Sequence, residues 1–260
     1  MIKLCYIGEL ELFTSDKTDV VHGFTTRLGG ISEGVYESLN LGVRTEDNPE
    51  NVSENYRRLK NALGIHSLVL AKQEHTDCVL AVGREDIGTG EFLKNPFPFG
   101  VDGLVSDVPG IALGVFTADC TPVLLYDPKR EVIGAVHSGW RGTAQHITKK
   151  TINLMTEKYG CDPEDIQVFI GPSIKECCFE IKSDAEKILR DAYPELDFIK
   201  TLDGRMFADT TACIESDLKA LGITDVDICD TCTCCRNDLL FSHRKGDKGR
   251  QLGIIVNRKN

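Results

Sequence analysis

Apolar residues recur along this chain in two rhythms. After Asp47-Asn48-Pro49, the residues Val52, Tyr56, Leu59 and Leu63 fall at i, i+4, i+7 and i+11, and Gly64 follows. That spacing predicts an amphipathic helix with a proline start and a glycine stop, its outer face carrying Arg57, Arg58 and Lys60. The same period predicts a second helix over about 143–159, with Ile147, Thr151, Leu154 and Met155 on one side and Gly160 as its end. A third helix begins at Ser183, where Ser183 and Glu186 make a Ser-x-x-Glu capping box. A fourth spans about 209–221, with Ile214, Leu218 and Leu221 as its stripe and Gly222 behind it. Between the helices lie short β-rich runs at 20–25, 68–71, 78–82, 111–116, 123–126, 132–137, 166–170, 226–229 and 252–256. Several are apolar throughout, which suits strands covered on both faces. The runs at 123–126 and 132–136, joined by Asp127-Pro128-Lys129-Arg130-Glu131, predict a hairpin. Hairpins mixed with helices predict an α+β fold, a single-domain layered sandwich of mixed β-sheets flanked by helices. No linker or repeat divides the chain, and its loosest stretch, Gly83 to Gly100, reads as an excursion within one domain covering residues 1–260.

Composition narrows the partners. With 40 acidic against 30 basic side chains, a net charge of -10, the surface as a whole repels nucleic acid and anionic membrane. No run of 18 apolar residues occurs, and the N-terminus reaches Gly8-Glu9 without a sustained apolar segment, so a cytoplasmic chain without a membrane span is expected. Nothing demands an obligate protein partner. The 11 cysteines are odd in number in a long, unsignalled chain, which favours reduced thiols over a disulfide framework. Most of them are expected to pack as small hydrophobes.

Three segments place a metal-binding or reactive side chain at the end of an apolar strand: Ala71-Lys72-Gln73-Glu74-His75, Thr117-Ala118-Asp119-Cys120-Thr121-Pro122 and Ala135-Val136-His137-Ser138-Gly139-Trp140. Two imidazoles and one thiolate make a three-ligand zinc site with an open fourth position, the arrangement of catalytic zinc, which activates water at neutral pH. The same residues suit a metal-free nucleophilic Cys120 activated by His137 or His75. Their spacing matches no local zinc pattern, and a satisfied histidine beside an inert buried cysteine fits it too.

The segment Cys229-Asp230-Thr231-Cys232-Thr233-Cys234-Cys235 is the densest cysteine cluster. Structural zinc draws two pairs from separated knuckles, and four ligands within seven residues do not surround one tetrahedral ion, so packing is the expectation for this cluster. Cys177-Cys178 is expected to lie extended, with the two side chains on opposite faces. Tight turns at Gly29-Gly30 and Gly142 bring Arg27 and Arg141 toward the cleft as phosphate or carboxylate contacts, and the basic run from Ser242 to Arg250 offers another anion contact.

The ordered segments His22-Gly23-Phe24-Thr25-Thr26-Arg27-Leu28-Gly29-Gly30, Gln73-Glu74-His75, Val101-Asp102-Gly103-Leu104, Ala118-Asp119-Cys120-Thr121-Pro122, His137-Ser138-Gly139-Trp140-Arg141-Gly142, Ile170-Gly171-Pro172-Ser173 and Phe241-Ser242-His243-Arg244 resemble the YfiH-type family over almost the whole chain. That family was first labelled polyphenol oxidase or laccase-domain and is now described as purine nucleoside phosphorylase. The resemblance implies zinc held by His75, Cys120 and His137. It also implies phosphorolysis of adenosine, inosine, guanosine and methylthioadenosine, together with deamination of adenosine. Purine nucleosides and phosphate are then the small-molecule partners. Asn40 resembles a nucleoside-contacting position, Arg57 neighbours the position of a family arginine occupied here by Tyr56, and Arg27, Arg141 or Arg244 is expected to hold phosphate. Asp119 is a candidate acid or base. The older label makes copper (Cu2+) the alternative metal, although a laccase needs many clustered imidazoles and the chain has only six histidines.

Overall fold

The computed structural model describes residues 1–91 and 96–257. Two six-stranded mixed sheets stack face to face. The first runs β1 (Lys3–Ile7), β2 (Leu10–Thr14), β3 (Val21–Thr25), β15 (Gln251–Val256), β7 (Ile111–Thr117) and β4 (Ser67–Leu70), with only β4 and β7 parallel. The second runs β14 (Val226–Ile228), β10 (Gln167–Ile170), β8 (Thr121–Asp127), β9 (Val132–Ser138), β6 (Gly103–Ser106) and β5 (Val79–Ala81). Here the outer pairs β14–β10 and β6–β5 are parallel and the inner pairs antiparallel. A small antiparallel sheet of β11 (Glu180–Ile181), β13 (Arg205–Ala208) and β12 (Ile199–Leu202) sits to one side.

The uniformly apolar runs are explained by this stacking. Val69, Leu113, Val115 and Ile255 of the first sheet pack against Leu104, Leu124, Ile133, Ala135 and Phe169 of the second. Residues one step along the same strands face outward, and each outward face is covered in turn. Leu68, Leu70, Ala112, Leu252 and Ile254 meet Val52, Tyr56, Leu59 and Leu63 of α1 (Pro49–Leu63). Val123, Leu125, Val136, Val168 and Ile170 meet Ile147, Ile152 and Met155 of α3 (Ile147–Tyr159) and Ile214 and Leu218 of α5 (Thr210–Ala220). All seven residues of β9 are therefore buried, and at roughly 1.5–3 kcal/mol per large apolar side chain such strands dominate the stability of the sandwich. The layers are helix, sheet, sheet and helix in an α+β single-domain fold.

The predicted helix at α1 has the expected ends: Asn48 accepts from the Glu50 N–H, and Gly64 adopts the left-handed conformation (φ 62°) that closes the last turn. The hairpin β8–β9 also forms, with Asp127 opposite Val132 and its Oδ1 accepting the N–H groups of Lys129 and Arg130. Two expectations are corrected. The helix expected over 143–159 is two helices, α2 (Trp140–Ala144) and α3, because His146 takes a left-handed conformation (φ 57°) with Nδ1 against Asp217 of α5. No capping box forms at α4 (Ser183–Ala192): Lys182 occupies the cap position and Glu186 accepts from Arg190. Residues 92–95, inside the excursion from Gly83 to Gly100, and 258–260 lie outside the described residues. Among the described residues no helix is long and apolar enough to cross a membrane.

Candidate active site

The chain twice crosses from the first sheet to the second at the same end of the sandwich, from β4 through residues 71–78 to β5, and from β7 through 118–120 to β8. Each crossing carries one of the predicted side chains, His75 and Cys120, and His137 lies at the end of β9, paired in register with Pro122. The three ligand atoms lie within 4.8 Å of one another, and Cys120 Sγ stands 3.8 Å from His75 Nε2. A tetrahedral zinc with Zn–S near 2.3 Å and Zn–N near 2.0 Å separates its sulfur and nitrogen ligands by about 3.6 Å. Two nitrogens, one sulfur and this spacing fit the metal that the donor types imply.

Several residues hold that set. Asp102, buried with no exposure, accepts His137 Nδ1 at 2.7 Å and the His75 N–H at 3.1 Å on Oδ1. Its Oδ2 accepts the N–H groups of Glu74 at 3.2 Å and Thr76 at 2.8 Å, and the Thr76 hydroxyl at 2.8 Å. A carboxylate on Nδ1 fixes the protonated nitrogen of His137 and directs Nε2 toward the shared centre. Gln73 acts like an extra strand residue, accepting the Phe116 N–H and donating to the Phe116 carbonyl, both at 2.6 Å. Gly139 is required by close approach, since a Cβ there would lie 2.8 Å from His75 Cδ2 and 3.3 Å from Cys120 Sγ.

Burial alone would raise the Cys120 thiol, but His137 and then His75 draw it down to about 6. Burial would likewise lower His137, yet the Cys120 thiolate and Asp102 lift it to about 9. Each group thus favours the charged form of the other.

These groups border a cavity of about 570 Å³ whose lining includes Arg44, Arg141, Arg244, Arg250, Lys72 and His243, against a single carboxylate among the described residues, Asp119. An acidic protein thus places a cationic pocket beside this candidate metal-ligating set. Arg141 stacks over the Trp140 ring at 4.2 Å. The Arg244 guanidinium donates to the carbonyls of Cys178 and Glu180, at 2.8 and 3.2 Å. Asp119, held at φ 92°, accepts the Thr233 hydroxyl at 2.6 Å and the Arg244 N–H at 2.7 Å, so its carboxylate pins the turn that presents Cys120.

The structure brings His75, Cys120, His137, Arg141 and Arg244 to one cavity, and puts three other sequence candidates elsewhere. Arg27 is tied to Asp247 at 3.3 Å and to the Glu37 and Asn237 carbonyls, over the Phe241 ring. Asn40 has no exposure; it donates to Thr45 and Asp47 and accepts the N–H groups of Gly42 and Arg250, which makes it a support for the cavity rim. Arg57 points outward from α1 and pairs with Glu54, and Tyr56 is buried with its hydroxyl on the Leu41 carbonyl. Sequence reasoning missed the parts played by Asp102, Gly139 and Arg44, and reached Arg250 only as the last residue of the basic run from Ser242. An acid set in the apolar run Val101-Asp102-Gly103-Leu104 was the available signal for the first. The side chains of Cys177 and Cys178 do not diverge as predicted: they lie in a turn, both near Cys235 Sγ at 3.6 and 3.5 Å.

Comparison with known proteins agrees with this fold. The family described as multi-copper polyphenol oxidoreductase laccase matches residues 21–258. The chain is 34% identical to purine nucleoside phosphorylase YlmD of Geobacillus stearothermophilus, covering 92% of this chain and 90% of that one. It is 33% identical to the purine nucleoside phosphorylase of Bacteroides thetaiotaomicron, covering 94% of each. To mouse purine nucleoside phosphorylase LACC1 it is 33% identical over 95% of its own length but spans only 58% of that protein. Among solved structures, the hypothetical protein YfiH of Bacillus licheniformis superposes with a TM-score of 0.91 at 30% identity, covering 99% of both chains. YlmD of Geobacillus stearothermophilus gives 0.91 at 31%, covering 98% of this chain and 99% of that one. The chain therefore belongs to the laccase-domain, YfiH-type family, whose curated relatives bear the name purine nucleoside phosphorylase.

Proposed function

We propose that this protein is a zinc-dependent purine nucleoside phosphorylase that also deaminates adenosine. The observation that carries the proposal is the juxtaposition of His75, Cys120 and His137 with a strongly cationic cavity. The metal, when bound, supplies Lewis-acid chemistry at the position its three protein ligands leave open. Asp102 keeps the His137 proton on Nδ1 and leaves Nε2 free as a ligand. Phosphate is an anion of one to two charges at neutral pH, and Arg141, Arg244 and Arg250 offer planar donors suited to it. Charge held beside the reacting bond lowers the barrier as the ribose acquires oxocarbenium character and the purine leaves. Phe116, Trp140 and Phe179 give the cavity its aromatic walls, suited to a purine. Adenosine, inosine, guanosine and methylthioadenosine are the substrates to test.

Replacing Cys120 by Ala removes a ligand, and the expected result is lost zinc and loss of both reactions. Wild-type turnover of adenosine and inosine by that variant would overturn the proposal. Free base released at an equal rate without phosphate would make the enzyme a hydrolase instead. A second reading, a metal-free Cys–His nucleophile, is favoured by the Cys120 thiolate set against His137. It predicts full activity after complete chelation, together with a covalent adduct on Cys120. A multi-copper oxidase is poorly supplied: among the described residues, the groups that can hold a metal contain only two imidazoles, His75 and His137. Metal analysis of the purified protein separates zinc from copper.

A further inference from the structure

Four sulfurs that the reaction does not use converge from two loops. Cys177 and Cys178 lie in the turn after Ile174, where the Lys175 carbonyl accepts the N–H groups of Cys178 and Phe179 at 2.9 and 2.8 Å. Cys232 and Cys235 come from the loop after β14. The loops are fastened by a β-bridge between Ser173 and Cys232 and by the Thr233 N–H on the Ser173 carbonyl at 3.1 Å. All four Sγ atoms lie within 4.8 Å of one another, and Cys235 Sγ is 3.6 Å from Cys177 and 3.5 Å from Cys178. Tetrahedral zinc with Zn–S near 2.3 Å sets its sulfurs about 3.8 Å apart. Cys232 and Cys235 stand at Cys-x-x-Cys spacing, and the Arg236 N–H on the Cys232 carbonyl at 2.9 Å closes that turn.

We propose that Cys177, Cys178, Cys232 and Cys235 form a second metal site, a closed tetrathiolate centre that takes zinc. The dense cysteine run supplies only two of its ligands, and the other pair comes from a separate turn, so the objection that one short segment cannot surround an ion does not apply. Binding makes four Zn–S bonds and releases four protons from the four thiols, with no change of oxidation state. Four protein ligands leave no open position, so the centre is structural. What it would fasten is the wall of the cationic cavity: Ile174 and Phe179 line the cavity on one loop, and the Arg244 guanidinium is anchored on the Cys178 and Glu180 carbonyls. Thr233, inside the Cys-x-x-Cys turn, donates to Asp119, beside Cys120.

The test is metal content of the full chain purified under reducing conditions. Wild type is expected to hold two zinc ions per chain, Cys177→Ser/Cys235→Ser one, and Cys120→Ala one. In the wild type, cobalt titrated into the apoprotein is expected to give a thiolate-to-cobalt absorption band far stronger than that of Cys177→Ser/Cys235→Ser. Should the double variant fail to fold, alkylation of the wild type decides: zinc is expected to protect Cys177, Cys178 and Cys235 from iodoacetamide, and a chelator to expose them. One zinc in the wild type and an unchanged content in Cys177→Ser/Cys235→Ser overturns the proposal. So does iron at these sulfurs, or a disulfide among them in place of metal. A wild type that holds its one ion at the four sulfurs and none at His75 and Cys120 would count against the proposed function and leave this second site standing.

Discussion

Asp102→Asn is the sharpest perturbation of the candidate active site, because one buried carboxylate collects donors from both sides of it. Asparagine keeps the shape and gives up one acceptor. If its oxygen faces His137 Nδ1 and the His75 N–H, its amide group faces the Glu74 and Thr76 N–H groups, which then lose their acceptor. Each buried donor left unpaired costs about 1–3 kcal/mol, so two cost about 2–6 kcal/mol, with loop relaxation favouring about 3. If the amide turns the other way, it donates to His137 Nδ1, drives the proton to Nε2 and blocks the ligand atom itself. Either way, zinc affinity is expected to fall about 10–100-fold, as for other residues that orient a metal-bound histidine. Competitive chelator titration measures the affinity, and denaturant unfolding of the metal-free protein measures the stability. Unchanged zinc affinity and unchanged stability in Asp102→Asn would refute the role assigned to this carboxylate.

Gly139→Ala tests close approach alone, since φ of -71° suits alanine. Its Cβ would press on His75 at 2.8 Å, so a loss of zinc affinity of about tenfold or more is expected with a stability change of about 1–3 kcal/mol; wild-type affinity would contradict the packing. Asp227, whose side chain is 5% exposed, gives a pH test far from the cavity. Burial would raise its carboxyl, but Lys17 at 2.6 Å, the N-terminal amine and Ser15 bring it down to about 2. A lowered carboxyl contributes stability above its unfolded value near 4 and loses it as the pH falls toward 2. Asp227→Asn is therefore expected to be about 2 kcal/mol less stable than wild type at pH 7, with the gap closing between about pH 4 and 2; a gap independent of pH would count against the ion pair. Arg57→Ala should leave kcat, KM and the denaturation midpoint close to those of wild type, because its partner Glu54 is on the same exposed helix face.

The elements that hydrophobic spacing specifies directly were legible in the sequence. Helix α1 has one apolar stripe, a proline start and a glycine stop, and each has a local physical cause. The strands β7, β8, β9 and β15 could be read because burial on both faces leaves long apolar runs. Strand β1, almost wholly exposed, and the four-residue strands β12 and β13, each with only one buried residue, carry no such run. The break at His146 depends on Asp217, a partner far along the chain, which periodicity cannot register. At the site, the three candidate metal-ligating side chains were named from strand ends and family resemblance, but their supports are long-range. Asp102 gathers His75 and His137 only after β6 and β9 pair, and Arg250 reaches the cavity only because β15 lies in the middle of the first sheet. Arg27 lies apart from the cavity for the converse reason: its neighbour in sequence is a turn, while its partner in space is Asp247.

The two crossings between the sheets also make the donor set a gauge of how the sandwich is assembled. His75 arrives from beside β4, His137 belongs to the opposite sheet, and Cys120 sits on the short bend that joins the two. A slide of one sheet over the other by a single residue, roughly 3.3 Å, would scatter the donors while leaving every strand intact. Ligand geometry therefore reports on tertiary registration and not on secondary structure. A partly folded chain with both sheets formed but unseated would resemble the native protein by far-ultraviolet circular dichroism and still be unable to hold a metal.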